Sequence, residues 1–439
     1  MAIRFENGIV GTLGKTNRVL WNSTVVTEGD RIAAIGPVSQ MAKRFPQAEA
    51  VDCSGKIVLP GFICTHHHLY STMARGMNPP GEPASNFVEI LERLWWKLDK
   101  ALSEEDITLS AQIPLAECIR NGTTTIIDHH ASPSHRDGSL DLIEKAVRGA
   151  GLRASLCYEV SDRNEPGGGI AENERFIKKV GKGDGQIAAM MGLHASFTLS
   201  DETIEKCVGI ARHAGVGCHI HVAEDAADRE DSLAKYGVPT VERLRRLGVA
   251  GAQSIFAHCI HIDESEMDIL AATRTSVAHN PESNMNNAVG VAKLLKLLKK
   301  GVLVGLGTDG MSSDMLAQMR CAYLLQRLDN RDPRVAFVEA PQLLLQNNVE
   351  ICERQFGVRL GEIAEGSPAD LAILDYLPPT PLDETNFLGH LIFGLVDATV
   401  DTTVCRGKIL MRGKKILSLD EERISARSRE LAPGMWRRL

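Results

Sequence analysis

The feature that most constrains this chain is a rhythm. Short apolar runs alternate with amphipathic stretches, and strands are expected at 58–66, 123–130, 153–160, 187–195, 217–224, 254–261, 275–281 and 303–310. Apolar strands separated by amphipathic helices describe a parallel sheet whose two faces are both covered by crossover helices. Eight such units predict an α/β fold, a (β/α)8 TIM barrel. The helix punctuation agrees with this rhythm. "SEEDITLSAQIPLAECIRNG" opens on Ser103 as a cap and stops at Asn121 and Gly122, and "SDETIEKCVGIARHAG" starts at Ser200 and stops at Gly215.

Both ends of the chain have another texture. β-rich runs such as "NGIVGTL" and "RIAAIG" are broken by Gly, Asn and Asp, and "ADLAILDY" and "DTTVCRGKILMRGKKIL" resume the style near the C-terminus. The expectation is a small β-sandwich domain built from residues 1–57 and 366–439, enclosing a barrel over 58–365; 439 residues are too many for one simple core. Two Pro- and Gly-rich insertions, "ARGMNPPGEPASNF" and "SDRNEPGGGIAEN", follow the first and third strands, where barrel loops are either substrate lids or plain surface excursions. The stretch from Gly167 to Gly169 is therefore a lid candidate.

Charge and composition narrow the partners. A net charge of -7 argues against nucleic acid and against an anionic membrane surface. No apolar run is long enough to cross a bilayer, and "MAIRFENGIV" lacks a signal-peptide layout, so a cytoplasmic protein is expected. The 10 cysteines stand singly with no CxxC pair, which reads as small core hydrophobes and not a zinc cluster.

The strand ends carry the chemistry. The first finishes at His66, His67 and His68, the second at Asp128, His129 and His130, and the fourth to seventh at His194, His221, His258 and His279; Asp309 ends the eighth. That rim is where parallel barrels hold their active sites. Each residue alone has a plainer reading, as a hydrogen-bonded structural histidine, a solvated loop glutamate or a capping aspartate. Packing gives no reason for so many strands to bring imidazoles to one rim, whereas metal binding does. His66 and His68 are spaced i, i+2 and share a face that His67 does not. In "HIHVAE" the strand exit lets Glu224 swing over the site beside His221, while His219 lies deeper on the same face. Asp309 closes the apolar run "VGLGTDG", where a carboxylate is poorly solvated unless it meets a cation. Three imidazoles and one carboxylate suit zinc or ferrous iron. A dication of that kind lowers the pKa of a bound water from about 15.7 toward 7, which makes hydrolysis of an electrophilic carbon feasible at neutral pH.

Taken in order, "PGFICTHHHL", "GTTTIIDHH", "GLHASFTLS", "HVAE", "FAHCIH", "AHNPESN" and "GLGTDG" resemble the amidohydrolase superfamily. The likeness is to its branch of guanine, cytosine and S-adenosylhomocysteine deaminases and triazine hydrolases. Within that branch the chain is similar to SsnA-type aminohydrolases and 8-oxoguanine deaminases. The resemblance implies that His66, His68, His221 and Asp309 bind one divalent metal ion, zinc first and iron as the alternative. It implies that Glu224 shuttles protons, that His258 orients the water or polarises the substrate, and that Asp309 takes the proton of the attacking water. His194 would touch the substrate, with His129, His279 and Asn284 as further contacts. "AAMMGLHA" has no bridging lysine, so a single ion is implied; "HNPESNMNNAVG" departs from the branch pattern, so no contact is carried over to Asn286 or Asn287. The implied reaction is deamination of a small heterocyclic substrate, a purine or pyrimidine, with release of ammonia. A cyclic amide hydrolase of purine breakdown, a chlorohydrolase and a non-catalytic scaffold remain as alternatives. A homodimer is expected from the same likeness.

Overall fold

The structure is a computed structural model that describes residues 2–79 and 81–439. Five strands open the chain, β1 (Ala2–Gly11), β2 (Val19–Glu28), β3 (Arg31–Pro37), β4 (Glu49–Asp52) and β5 (Lys56–Pro60). Nine strands follow among helices: β6 (Phe62–His67), β7 (Thr123–His130), β8 (Arg153–Tyr158), β9 (Ile187–Ala189), β10 (Met191–Ala195), β11 (Cys218–Val222), β12 (Ile255–His258), β13 (Ser276–His279) and β14 (Val304–Leu306). Then come β15 (Leu371–Asp375), β16 (Val400–Cys405), β17 (Lys408–Arg412) and β18 (Lys415–Ile416).

The two ends of the chain meet in one nine-stranded sheet, ordered β18-β17-β16-β15-β5-β1-β2-β3 with β4 also paired to β1. Phe5, Val25, Val58, Leu371, Ile373 and Val404 from both ends share one apolar cluster of that sheet. The middle of the chain forms two parallel sheets, β6-β7-β8-β9 and β10-β11-β12-β13-β14. They touch along two seams. At one, the Thr308 and Asp309 amides donate to the His66 carbonyl at 2.9 and 3.1 Å, and the His68 amide donates to the Asp309 carbonyl. At the other, the Val160 amide donates to Gly192 at 3.2 Å and the His194 amide donates back to Val160 at 2.9 Å. Gly192 is required there, since a Cβ would lie 2.2 Å from the Tyr158 carbonyl oxygen. Ile127, Cys157, Ile255 and Ala278, drawn from both parallel sheets, pack on one another as a buried cluster.

Two strand expectations divide. The run 58–66 is two strands: Lys56–Pro60 pairs with β1 and β15 in the mixed sheet, and Phe62–His67 pairs with β7. Pro60 and Gly61 mark the break, which an apolar reading of the run overlooks. The run 187–195 breaks at Met190, with β9 on β8 and β10 on β11. The helix ends stand as expected: Ser103 and Asp106 form a reciprocal capping box, Ser200 accepts from the Thr203 amide, and Gly215 closes its helix at φ 71°. The lid candidate is different, because Gly167–Gly169 form the first turn of the helix Pro166–Val180, whose N-terminal amides bond to Glu165. Nine of the cysteines are buried and unpaired, the other, Cys321, being half-buried. No helix among the described residues is long and apolar enough to cross a membrane.

Two polar contacts fix this assembly. Arg153 of β8 and Asp370 form an ion pair of 2.5 Å whose side chains are only 3% and 4% exposed, and Asp370 also accepts from the Arg406 amide, joining the parallel strands to the mixed sheet. Asn348 lies fully buried between the first and last parallel strands. Its amide donates to the carbonyls of Ile63 and Leu306 at 2.6 and 3.0 Å, and its oxygen accepts from the Leu306 amide at 2.7 Å. Replacing it with leucine leaves those backbone groups unpaired, at about 1–3 kcal/mol for each one left buried without a partner. Asn348→Leu is therefore expected to lower the stability measured in denaturant by about 3 kcal/mol or more, whereas substitution of the exposed neighbour Glu350 leaves it within about 0.5 kcal/mol.

Candidate metal centre and cavity

β6, β11 and the turn after β14 bring four side chains to one point. Ligand atoms of His66, His68, His221 and Asp309 lie within 4.8 Å of one another. The backbone decides what the imidazoles present there. Nδ1 of His68 donates to the His129 carbonyl at 2.6 Å, and Nδ1 of His221 donates to the His194 carbonyl at 2.7 Å. A carbonyl only accepts, so in the neutral rings both protons sit on Nδ1 and both Nε2 atoms carry bare lone pairs. Those two Nε2 atoms face each other at 3.1 Å. Lone pairs at that distance repel unless a cation lies between them, so the donor set fits a metal ion.

The other two residues complete the arrangement. Nε2 of His66 is buried with no hydrogen-bond partner, and its Nδ1 is 2.8 Å from Nε2 of His219, which stands behind it. Oδ1 of Asp309 approaches Nε2 of His68 at 2.9 Å and Nε2 of His66 at 3.4 Å. Burial pushes His66 and His221 well below the usual imidazole range, which keeps them neutral as ligands must be. Burial opposes ionisation of Asp309 as well, but the facing His66 and His68 overcome it and hold the carboxyl low. His68 moves the other way: burial lowers it, yet the Asp309 carboxylate outweighs burial and raises it. A proton thus occupies the place where a cation is electrostatically favoured.

Turns with unusual backbone deliver the surrounding groups. Ala223, His258, Cys259 and Asp309 all have left-handed φ, at 46°, 73°, 51° and 53°. Such conformations cost about 1–3 kcal/mol in non-glycine residues and collect at functional sites. The turn at Ala223 swings Glu224 across, so that its Oε2 is 3.5 Å from Nε2 of His258. Burial, with the charge of Asp309 adding to it, pushes the Glu224 carboxyl up to about 7. His258 donates from Nδ1 to the Asn284 side-chain oxygen at 2.7 Å, which leaves its Nε2 to accept from the Asn280 side-chain amide at 3.5 Å, 3.9 Å from Oδ2 of Asp309. His67 points away and pairs with Ser313 at 3.2 Å.

A cavity, partly open to solvent, adjoins this point. His68, His221, Glu224 and Asp309 form one end, and His194 lies beside them. The helical segment from Phe87 to Ala101 roofs it with Phe87, Leu91, Trp95 and Trp96. Of the first insertion only its last residue, Phe87, belongs to that helical segment and lines the cavity; its Pro80 lies outside the described residues. Three expected contacts are set apart from the cavity. His129 is fully buried, with Nε2 between the carbonyls of Leu193 and His219; His279 is 1% exposed; Asn284 stands behind His258. Their strand-end positions are right for the rim, but their side chains point under it or into the next strand.

Several cavity residues went unread in the sequence. Ser283 donates to Oδ2 of Asp309 at 2.5 Å, and Asn287 donates to Glu224 at 3.2 Å, although the motif around them departs from its branch. Glu159 follows β8 at the same rim as the histidines, and Asp99 is the fourth member of an i, i+4 row begun by Phe87, Leu91 and Trp95. An acid on an otherwise apolar helical row was the available signal.

The chain is 32% identical to a 5-methylthioadenosine/S-adenosylhomocysteine deaminase of Pelotomaculum thermopropionicum, the alignment covering 98% of each. It is 32% identical to a 5'-deoxyadenosine deaminase of Methanosarcina mazei, over 100% of this chain and 99% of that one. Its fold superposes on a crystal structure of an adenosine deaminase from Xanthomonas campestris with bound zinc, with a TM-score of 0.87 and 23% identity over 100% and 99% of the two chains. The model of the amidohydrolase family matches residues 57–410. The chain belongs to the amidohydrolase family.

Proposed function

We propose that the protein is a metal-dependent deaminase that hydrolyses the exocyclic C–N bond of a heterocyclic amine, an adenine nucleoside foremost, and releases ammonia. The observation that carries this reading is the pair of imidazole Nε2 atoms facing each other at 3.1 Å beside Asp309, with Glu224 across from them. Two relatives named for adenine nucleosides, each 32% identical over nearly the whole chain, support the substrate class. On this reading the two parallel sheets close through their seams into one (β/α)8 barrel, and residues 1–57 and 366–439 form the composite β domain. The expected cytoplasmic location and homodimer remain part of the proposal.

His66, His68, His221 and Asp309 would hold one divalent ion, zinc by donor set, with ferrous iron sharing it. Bound there, the ion would supply Lewis acidity and lower the pKa of water at the site. The protein groups do the rest. Asp309 accepts the proton given up as water attacks, since Ser283 holds its Oδ2 and leaves it beside the cavity. Glu224, protonated near neutrality, donates to the ring nitrogen next to the reacting carbon and makes that carbon a better electrophile. His258, fixed through Nδ1, turns Nε2 toward the attacking oxygen. The amino group leaves as ammonia, carrying a proton passed on by the carboxylates, and a C–O bond replaces the C–N bond.

Three outcomes are expected. Purified chain loaded with zinc holds about one ion, and His68→Ala loses most of it by elemental analysis. Loading the metal-free protein near neutral pH releases about one proton per chain, because the raised His68 must lose its proton, so apparent affinity rises with pH; titration in dilute buffer checks this. Glu224→Gln keeps the ion but loses about a thousandfold in kcat for ammonia release from adenosine and 5'-deoxyadenosine. A zinc-loaded chain that frees no ammonia from either nucleoside would contradict the proposal.

A further inference from the structure

Backbone carbonyls fix the tautomers of His68 and His221, but not that of His66. Its Nδ1 faces another imidazole instead, Nε2 of His219, at 2.8 Å. His219 is 0% exposed, stands two residues before His221 on β11, and meets the His66 ring edge to face at 4.9 Å. The reaction leaves this buried ring without a part. Yet a hydrogen bond between two imidazoles can run either way, and its direction decides whether Nε2 of His66 carries a lone pair or a proton.

The direction is set one residue further back. Sγ of Cys157 lies 3.5 Å from the Asp128 carbonyl oxygen and 3.9 Å from Nδ1 of His219. The carbonyl only accepts, so the thiol donates its proton there and turns a sulfur lone pair toward the ring. A neutral His219 then keeps its proton on Nδ1, facing the sulfur, and its Nε2 can only accept. His66 must donate from Nδ1, which leaves a lone pair on its Nε2, the atom that is buried at the metal point without a hydrogen-bond partner. In the reverse tautomer His219 would donate from Nε2, and the proton of His66 would move to its own Nε2, where it blocks coordination. The path runs from His66 on β6 through His219 on β11 and Cys157 on β8 to the Asp128 carbonyl on β7.

We propose that His219 is a positioning residue for the metal centre, accepting the Nδ1 proton of His66, with the Cys157 thiol behind it selecting the tautomer that can accept. This deepens the proposed function and rests on its metal reading. Because His68 and His221 donate to backbone carbonyls, His66 is the one imidazole of the three whose outer partner a substitution can remove.

Zinc affinity, measured by competition with a chromophoric chelator, tests this apart from turnover. His219→Leu is expected to bind zinc about 10–100-fold more weakly than the wild-type chain. His219→Gln, whose side-chain oxygen can accept from Nδ1 of His66, is expected to stay within about threefold of wild type, a rescue that filling the space alone does not give. Circular dichroism checks that both variants fold. Should the leucine variant fail to fold, neutron diffraction from metal-free wild-type crystals exchanged in heavy water reads the protons directly, with deuterium expected on Nδ1 of both His66 and His219. Equal affinity of the leucine variant and wild type, equal affinity of the folded leucine and glutamine variants, or deuterium on Nε2 of His219 overturns the role of His219 and leaves the deaminase reading standing. A wild-type chain that binds no zinc overturns both.

Discussion

Everything at the rim depends on where two protons are forced to sit. The carbonyls of His129 and His194 take the Nδ1 protons of His68 and His221, and so turn two lone pairs on each other. Those carbonyls belong to the ends of neighbouring strands, so the parallel sheet sets the tautomers before any ion arrives. Asp309 joins them only because the turn after β14 hydrogen-bonds to His66 and His68 through the backbone. Asn348, bonded to β6 and β14 at once, holds that seam from beneath. The site is thus an outcome of strand register and of the short hydrogen-bonded turns at the strand ends, which suits chemistry that tolerates little misplacement.

The electrostatics divide the cavity by role. At the metal end, burial keeps His66 and His221 neutral while Asp309 stays charged, the state in which all can coordinate together. Glu224, a few ångströms on, is pushed by burial toward holding its proton at neutral pH. Two carboxylates with opposed titration, one charged and one protonated, are what an acid and a base working in one step require. Left-handed backbone at Ala223 and Asp309 is the local cost of aiming them.

Much of this was legible in the sequence, for a definable reason. Strand ends carry a simple code: a titratable residue closing an apolar run points to the rim, and His66, His68, His221, Glu224, His258 and Asp309 all follow it. What escaped was of two kinds. Breaks inside continuous apolar runs, at Pro60-Gly61 and at Met190, cannot be seen by hydrophobicity, because both halves are buried although they pair with different neighbours. Side-chain direction at a strand end is set by the next turn, so His129, His279 and Asn284 could be placed near the rim but not shown to lie behind the cavity wall. Asp99 and Glu159 escaped because a single acid on a helix or just past a strand reads equally well as a solvated surface group. The helical setting of Gly167–Gly169 shows that three glycines in a row do not make a lid when Glu165 caps them.

The most direct test of the central claim is a crystal structure of the zinc-loaded chain with anomalous scattering recorded at the metal edge. The account predicts one strong peak per chain, at about 2.0–2.2 Å from Nε2 of His66, His68 and His221 and from one oxygen of Asp309. A fully loaded protein with its peak elsewhere, or with Nδ1 of His68 or His221 turned onto the ion, would contradict it.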